Sequence, residues 1–503
     1  MTSQGVYIEF AAPDFADAGI AQLVEHDLAK VGVASSSLVS RSISLLERVP
    51  MRGMRLFVAG LLLACVVPSA EAAPVTTPPG AYLFRNVRIW DGRSDAHYAG
   101  EVLVVGNRIQ SVSHEAIAAA AGLHPIAIDG GGRVLMPGFI DAHVHMSSVL
   151  TRQEAQEADP VYVAALEIRG AEQALLRGFT TQRDAAGAVF GLKRAIDAGY
   201  AVGPRIYAAG AALSQTAGHG DDRHYTDPPR RLGGGLTLEE RTGMTTIADG
   251  VPEVLAAARD QLGHGAAMLK VMASGGAASE FDPIEVVEYT PEELRAAVDV
   301  AASFGTYVTV HSYNSASTRR AIEAGVRCIE HGHLIDESTM KLIAERGIFL
   351  STNMVVYEVP PPGISETQRA KFLQVQSAAD AMMRLAKKYH VKLGFGTDLV
   401  FGLDQMTRQN REFTLRARWF SPVEILRQVT SGNAELLAMS GPRNPYPGKL
   451  GVIEEGAYAD ILLINGEPLK DITLLEHPDV ALALIMKDGR IYKNQLASAG
   501  AAH

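Results

Sequence analysis

Residues 133–146 read RVLMPGFIDAHVHM: an apolar run, a Pro-Gly turn, a second apolar run, and then His143-Val144-His145. In a β-strand, residues two apart face the same way. The two imidazoles therefore project together from the C-terminal end of a strand, where neutral ring nitrogens bind metal ions. An isolated H-x-H is equally well a pair of surface histidines on a polar strand end. Here the strand before it is apolar and partner residues follow in order along the chain. That favours chemistry at a metal.

Downstream, apolar strand-like runs alternate with helical segments. GFTTQRDAA (178–186) precedes a helix expected around Phe190–Gly199, and RIYAAG (205–210) follows it. A helix at Val251–Leu262 leads to MLKVMAS (268–274), and one at Glu292–Phe304 to YVTVHSYN (307–314). Thr318–Ala324 leads to CIEHGHL (328–334), Glu337–Arg346 to IFLSTN (348–353), and Ala378–Tyr389 to KLGFGTD (392–398). Such repetition implies a parallel sheet with crossover helices. About eight units over roughly 300 residues suit a closed α/β fold, the (β/α)8 TIM-like barrel. An open doubly wound sheet is the alternative, but no G-x-G-x-x-G follows the first strand.

Both flanks are β-rich. AYLFRNVRIWDG (81–92), EVLVVGNRIQSV (101–112) and GGRVLMPGF (131–139) are short alternating strands with Gly and Asn turns, and LGVIEEGAYADILLING (450–466) and VALALIMKDGRIY (480–492) look alike. Pieces of about 50 residues do not make stable cores alone. A discontinuous β-sandwich built from both termini is expected, with its parts at 74–136 and 446–497 and the barrel at 137–445.

The chain has 503 residues, 47% hydrophobic and 20% charged, an ordinary globular composition with room for two domains. A net charge of −10 argues against a nucleic-acid partner. Two cysteines exclude a disulfide framework. Cys328 reads as a small buried hydrophobe. Residues 51–73, MRGMRLFVAGLLLACVVPSAEAA, have a basic start, an apolar stretch and a small-residue exit at Ala70-Glu71-Ala72. They read as a secretory signal peptide, too short for an integral membrane span. Translation from Met51 or Met54 would make residues 1–50 a non-native upstream extension. Leu62-Leu63-Ala64-Cys65 also reads as a lipoprotein cleavage box, and a buried helix is the plain alternative. An exported, periplasmic or secreted protein is expected.

The strand ends carry a pattern. Such barrels place active sites there, and His143, His145, Lys270, His311, His331 and Asp398 all sit at the same end of their strands. Lys270 interrupts an otherwise apolar strand. An ammonium has no lone pair and repels a metal, whereas its carbamate, formed with carbon dioxide, is an oxygen-bearing anion able to bridge two cations. A lysine snorkelling from a strand end is the alternative.

This combination resembles the amidohydrolase superfamily over residues from about 81 to 497. PGFIDAHVHM, LKVMASGG, VHSYNSASTRRAIEAGVRCIEHG and FGTD are similar to the branch of bacterial metallo-carboxypeptidases and prolidase-like dipeptidases. That branch includes amidohydrolases that split ochratoxin A at its phenylalanine amide. The resemblance implies two divalent metal ions, with His143 and His145 on the more buried one, Lys270 as N6-carboxylysine bridging both, and His311 and His331 on the second. It makes Asp398 a ligand of the first metal and a proton shuttle. Imidazole and carboxylate ligands favour zinc, with manganese and cobalt open on spacing alone.

His219 in QTAGHGDD and Tyr313 in VHSYN match residues that in the family help hold the substrate or its transition state, which makes His219 a catalytic candidate as well. The plain readings are an exposed loop histidine and a packed aromatic. His333 is a substrate-side candidate standing behind the ligands, or a solvated loop histidine. Arg183 and Asp184 read as an ion pair steadying the barrel mouth rather than as catalytic groups. The acidic connection SGGAASEFDPIEVVEYT (274–290) is long enough to cover a substrate. Its charge either favours a basic group or is merely solvated.

The expected activity is amide hydrolysis releasing a C-terminal amino acid from a dipeptide, N-acyl amino acid or aryl amide, ochratoxin A-like compounds included. Partners are then a small-molecule or dipeptide substrate and further copies of the chain in a homo-oligomer. Alternatives are a cyclic-amide or deaminating enzyme of the imidazolonepropionase type, in which one metal and no bridging lysine are usual, and a metal-free scaffold.

Overall fold

The computed structural model describes residues 80–119, 122–361 and 363–496. The expected leader at 51–73 and the extension at 1–50 lie outside them, as do the chain's last residues.

The first strands are β1 (Ala81–Ile89), β2 (Tyr98–Val105), β3 (Arg108–Ser113) and β4 (Ile126–Pro137), and the last are β15 (Ile461–Ile464), β16 (Leu482–Lys487) and β17 (Arg490–Asn494). They form one hydrogen-bonded series of seven, in the order β17-β16-β15-β4-β1-β2-β3. β4 is the seam: it runs parallel to β1 on one side and antiparallel to β15 on the other, Pro137 facing Ile461. Phe84, Ile89, Val102 and Leu135 share an apolar cluster with Val452, Ile461, Leu484 and Met486. The two termini thus bury each other's faces, as neither could alone.

The strands between are β5 (Phe139–Val144), β6 (Phe179–Asp184), β7 (Arg205–Ala208), β8 (Ala212–Ser214), β9 (Thr245–Ile247), β10 (Leu269–Met272), β11 (Val308–Asn314), β12 (Cys328–Leu334), β13 (Phe349–Thr352) and β14 (Lys392–Phe395). β5, β6 and β7 make one parallel sheet; β14-β13-β12-β11-β10-β8-β9 make another. Backbone bonds close the gaps, from Ala267 N to Ala208 O and from Asp398 N to His143 O, each 2.8 Å. The strands therefore run round to where they began, the arrangement of a β/α barrel.

Register explains why the interior is polar. Val271, Val310, Ile329, Leu350 and Leu393 are consecutive neighbours across β10 to β14 and pack against Leu262, Val300 and Ile343 of the covering helices. Alternation then sends Lys270, Thr309, His311, Cys328, Glu330 and Ser351 to the opposite, interior face.

The helices start where capping residues allow. Thr290, with Pro291 and Glu293, caps Pro291–Ser303, and Ser365 with Gln368 caps Glu366–Lys388. The latter begins twelve residues before the expected Ala378. The helix Pro160–Leu176, capped by Asp159, was not among those expected. Among the described residues no helix is long and apolar enough to cross a membrane.

Candidate metal centre

His143, His145, Lys270, His311, His331 and Asp398 all line a single cavity of about 470 Å³ at the strands' C-terminal ends. Local irregularities aim them. The ladder between β5 and β6 slips between Asp141 and Val144, just where His143 stands, and such slips re-aim side chains. On β12, Glu330 faces inward, so strict alternation would send His331 away from the interior. The backbone turns instead: His331 has φ 72° and Gly332 φ 68°, so both are left-handed. A side chain at 332 would meet Leu350 Cδ1 at 2.6 Å, so glycine is required there on two counts. Asp398 is also left-handed, φ 55°. Two of the six candidate residues hold conformations that cost a non-glycine residue of order 1 kcal/mol or more.

Tautomers follow from the outer partners. His143 Nδ1 lies 2.8 Å from Glu330 Oε2, and Glu330 Oε1 accepts from Arg183 Nη2 at 2.5 Å and from Thr309 Oγ1. Burial opposes the carboxylate, yet Arg183 and His143 hold Glu330 well below its ordinary range. An ionised Glu330 only accepts, so His143 carries its proton on Nδ1 and turns a bare Nε2 inward. His145 Nδ1 is likewise 2.9 Å from the Ala186 carbonyl. The two Nε2 atoms stand 3.3 Å apart, and 3.3 and 3.1 Å from Asp398 Oδ1. His331 Nδ1 is 3.7 Å from Asp398 Oδ2. Donor atoms of His143, His331 and Asp398 all lie within 4.8 Å of one another.

His143 Nε2, His145 Nε2 and Asp398 Oδ1 converge here, and their lone pairs repel unless a proton or a metal ion sits among them. Burial disfavours imidazolium at both histidines and takes His143 down to about 4. At His145, Asp398 and Asp184 overcome burial and raise the pKa. The site calls for a cation at this point, and its donor set suits a divalent metal. Lys270 is buried, and burial lowers its pKa although Glu330 and Asp398 pull the other way. Glu330 pairs with Arg183 and His143 rather than with the lysine. His311 stacks on His219 with ring centroids 4.1 Å apart and meets His331 edge-on at 4.5 Å.

Arg183 and Asp184 do not form the expected ion pair. Adjacent strand residues point to opposite faces; Arg183 reaches Glu330 inside the barrel, while Asp184 accepts from Met146 N at 2.6 Å. Cys328 is buried but touches Arg183 and Glu330 as well as apolar neighbours. His333 does not line the cavity. It packs behind Tyr357, with centroids 4.8 Å apart, and its Nε2 lies 3.1 Å from Asn353 O. Tyr313 does line the cavity, with its phenol hydrogen-bonded to that of Tyr357. His219 is neither solvated nor loose: its Nδ1 is 2.8 Å from Ser279 Oγ and 3.4 Å from Asp282 Oδ2. Gly276 leaves room for that ring, since a side chain there would sit 2.0 Å from it.

The acidic connection covers the cavity with Ala277 and Ala278 rather than with its carboxylates. Asp282 accepts from Gly276 N and Ser279, and Glu288 from His219 N, both turned inward, while Glu280 and Glu285 meet Ser365 and Gln374. Sequence reasoning missed Glu330 and Tyr357. The first had a signal in IEHG, as a carboxylate one residue before a ligand candidate; the second had none.

A buried cluster of imidazoles around one carboxylate, at the C-terminal ends of parallel strands of a β/α barrel, is a donor set that could hold a metal ion and suits hydrolytic chemistry. Comparison carries this further. Residues 134–492 match the amidohydrolase family, and the chain belongs to it. The chain is 34% identical to ochratoxinase of Aspergillus niger over 374 residues, 72% of this chain and 76% of that protein. A prolidase solved with N-methylphosphonate-L-proline superposes with a TM-score of 0.76 at 33% identity, covering 82% of this chain and all of the other. A Xaa-Pro dipeptidase with methionine in its active site gives 0.71 at 28%, covering 82% and 100%. The protein is thus an enzyme that hydrolyses carbon–nitrogen bonds, in a family that is generally metal-dependent.

Proposed function

We propose that the protein is a two-metal amide hydrolase that releases a C-terminal amino acid from a dipeptide, N-acyl amino acid or aryl amide. The observation that carries this is the convergence of imidazole nitrogens and Asp398 beside a buried lysine that makes no ion pair among the described residues. His143, His145 and Asp398 would hold one ion and His311 and His331 the other, with Lys270 as its carbamate between them. Zinc is the metal this donor set favours. When bound, such ions act as Lewis acids and bring the pKa of water towards neutrality.

The chain's own groups do the rest. Asp398 sits within hydrogen-bond reach of the space facing His145, so it takes a proton from the attacking water and returns it to the departing amine. Glu330 and Arg183 fix the His143 ring so that its lone pair stays aimed. His219, anchored by Ser279 and Asp282, lines the cavity, as does Tyr313, and both rings pack against His311. Val163, Ala164, Phe372 and Phe401 on the wall suit an apolar or aromatic acyl group, so amides like that of ochratoxin A fall within the substrate class.

Metal analysis combined with a screen of N-acyl amino acids, aryl amides and dipeptides for released amino acid tests the reading. Two ions per chain and amino-acid release are expected. One ion with deamination of a cyclic substrate would favour the imidazolonepropionase type, and no ion a scaffold.

A further inference from the structure

We propose that Asp282, acting through the hydroxyl of Ser279, is the positioning residue that fixes the ring of His219 and leaves Nε2 as the nitrogen available to the substrate. The proposal deepens the amide-hydrolase reading and rests on it. His219 stands on the excursion between β8 and β9 and lines the cavity, its ring centroid 4.1 Å from that of His311 at an interplanar angle of 21°. Such a stack holds the plane of the ring but is nearly indifferent to a half-turn about χ2, which exchanges Nδ1 with a carbon. The backbone is held separately, His219 N donating to the buried Glu288 at 2.8 Å. What chooses the edge is a second loop, the connection that follows β10. Its Ser279 Oγ is 2.8 Å from His219 Nδ1 and 2.6 Å from Asp282 Oδ2, whereas Asp282 Oδ2 itself is 3.4 Å from Nδ1.

The direction of these bonds follows from the carboxylate. Burial works against an ionised Asp282, yet His219, Ser279 and Lys371 hold it below its ordinary range. A carboxylate only accepts, so Ser279 gives its hydrogen to Asp282 and its oxygen receives one from His219 Nδ1. The neutral ring therefore carries its hydrogen on Nδ1, and among the described residues Nε2 has no hydrogen-bond partner. The seat is rigid. Ser279 and Asp282 are both buried, and Asp282 Oδ2 also accepts from Gly276 N at 2.5 Å. Lys371, on the helix Glu366–Lys388, donates to the carbonyls of Ser279 and Asp282 at 2.6 and 3.0 Å and clamps the stretch from behind. A mere cap for this loop would need only the Gly276 and Ser279 contacts. Here a missing side chain at Gly276 admits the ring and the serine hydroxyl meets its nitrogen, so the loop is shaped to a side chain from another segment.

The test uses the metal-loaded enzyme, a panel of N-acyl amino acids, aryl amides and dipeptides, and the variants Ser279→Ala, Asp282→Asn and His219→Ala, alone and combined. Ser279→Ala and Asp282→Asn should each lower kcat by about 10- to 100-fold, the loss expected for a hydrogen bond to a charged group, with little change in KM or in bound metal. Ser279→Ala removes a single buried atom and so guards against misfolding of the Asp282 variant, which thermal unfolding would reveal. In the His219→Ala background neither change should cost anything further, because residues that act through one ring are not additive with its loss. Proton–nitrogen correlation spectra of protein labelled at the histidine rings give a readout independent of turnover. The His219 signals, recognised by their disappearance in His219→Ala, should place hydrogen on Nδ1 of the neutral ring in the wild type and show mixed tautomers in Ser279→Ala. Losses that persist in full in the His219→Ala background, hydrogen on Nε2 in the wild type, or wild-type kcat in both single variants overturn the assignment and leave Asp282 a loop cap. No turnover by the wild type across the panel would instead sink the amide-hydrolase reading, while the spectra would still decide whether Asp282 and Ser279 set the ring.

Discussion

Replacing Glu330 by Gln changes no shape and should cost a great deal. Glu330 offers one oxygen to His143 Nδ1 and the other to Arg183 and Thr309. Glutamine has a single acceptor oxygen, and its NH2 would confront a donor whichever way it turned. Either His143 loses its orienting partner or the buried Arg183 loses its counter-charge. Breaking a buried ion pair by removing one partner costs about 3–5 kcal/mol, and losing a carboxylate behind a metal-binding imidazole costs about 10- to 100-fold in metal affinity. The two effects separate in Arg183→Met/Glu330→Met. There the unpaired charge is gone, so stability should largely return, whereas His143 remains unoriented and metal affinity stays low. Apparent midpoints of chemical denaturation measure the first effect, and metal retained against a competing chelator the second. A Glu330→Gln protein with wild-type stability and metal content would refute the reasoning.

Lys270→Ala should lose activity and bound metal together, with partial rescue by short carboxylic acids; near-normal turnover in that variant would dismiss the bridging carbamate. Asp398→Asn should keep much of the metal but lower kcat by about a hundred- to ten-thousandfold, and a loss of only a few-fold would move the proton transfer to another group. Burial, and behind it the charge of Asp184, push Glu167 up to about 7 from an ordinary 4.5. The folded state then binds this proton more tightly than the unfolded chain, so the stability it contributes is lost as pH rises from about 4.5 to 7. Melting curves should show Glu167→Gln gaining on the wild type across that window and matching it at pH 4; a constant difference would contradict the burial argument.

The strand-end residues were legible because chemistry and period coincide: a polar group at the end of an apolar run needs a reason, and five runs shared one. The tautomers were not legible, because they depend on Glu330, which lies 187 residues from His143. Nor was the backbone reversal at His331, since histidine gives no sign of a left-handed φ. The Arg183–Asp184 reading failed on the same alternation that served elsewhere, because adjacency in a strand separates side chains. The start of the helix Glu366–Lys388 was readable in the Ser365 to Gln368 capping spacing, though its first turns lack a strong apolar rhythm.

The seam at β4 bears on how the molecule is made. β4 is twelve residues long and ends in the buried run Val134-Leu135-Met136, while β15, which covers its second edge, begins at Ile461. Roughly 320 residues of synthesis separate the two, which at about 5–20 residues per second is on the order of 15–65 s. Throughout that interval a nascent chain carries a long apolar strand with an open edge, the kind that recruits other strands. Premature termination anywhere in the barrel would leave that edge exposed for good. The strands β15, β16 and β17 therefore close an edge that would otherwise be open to other strands.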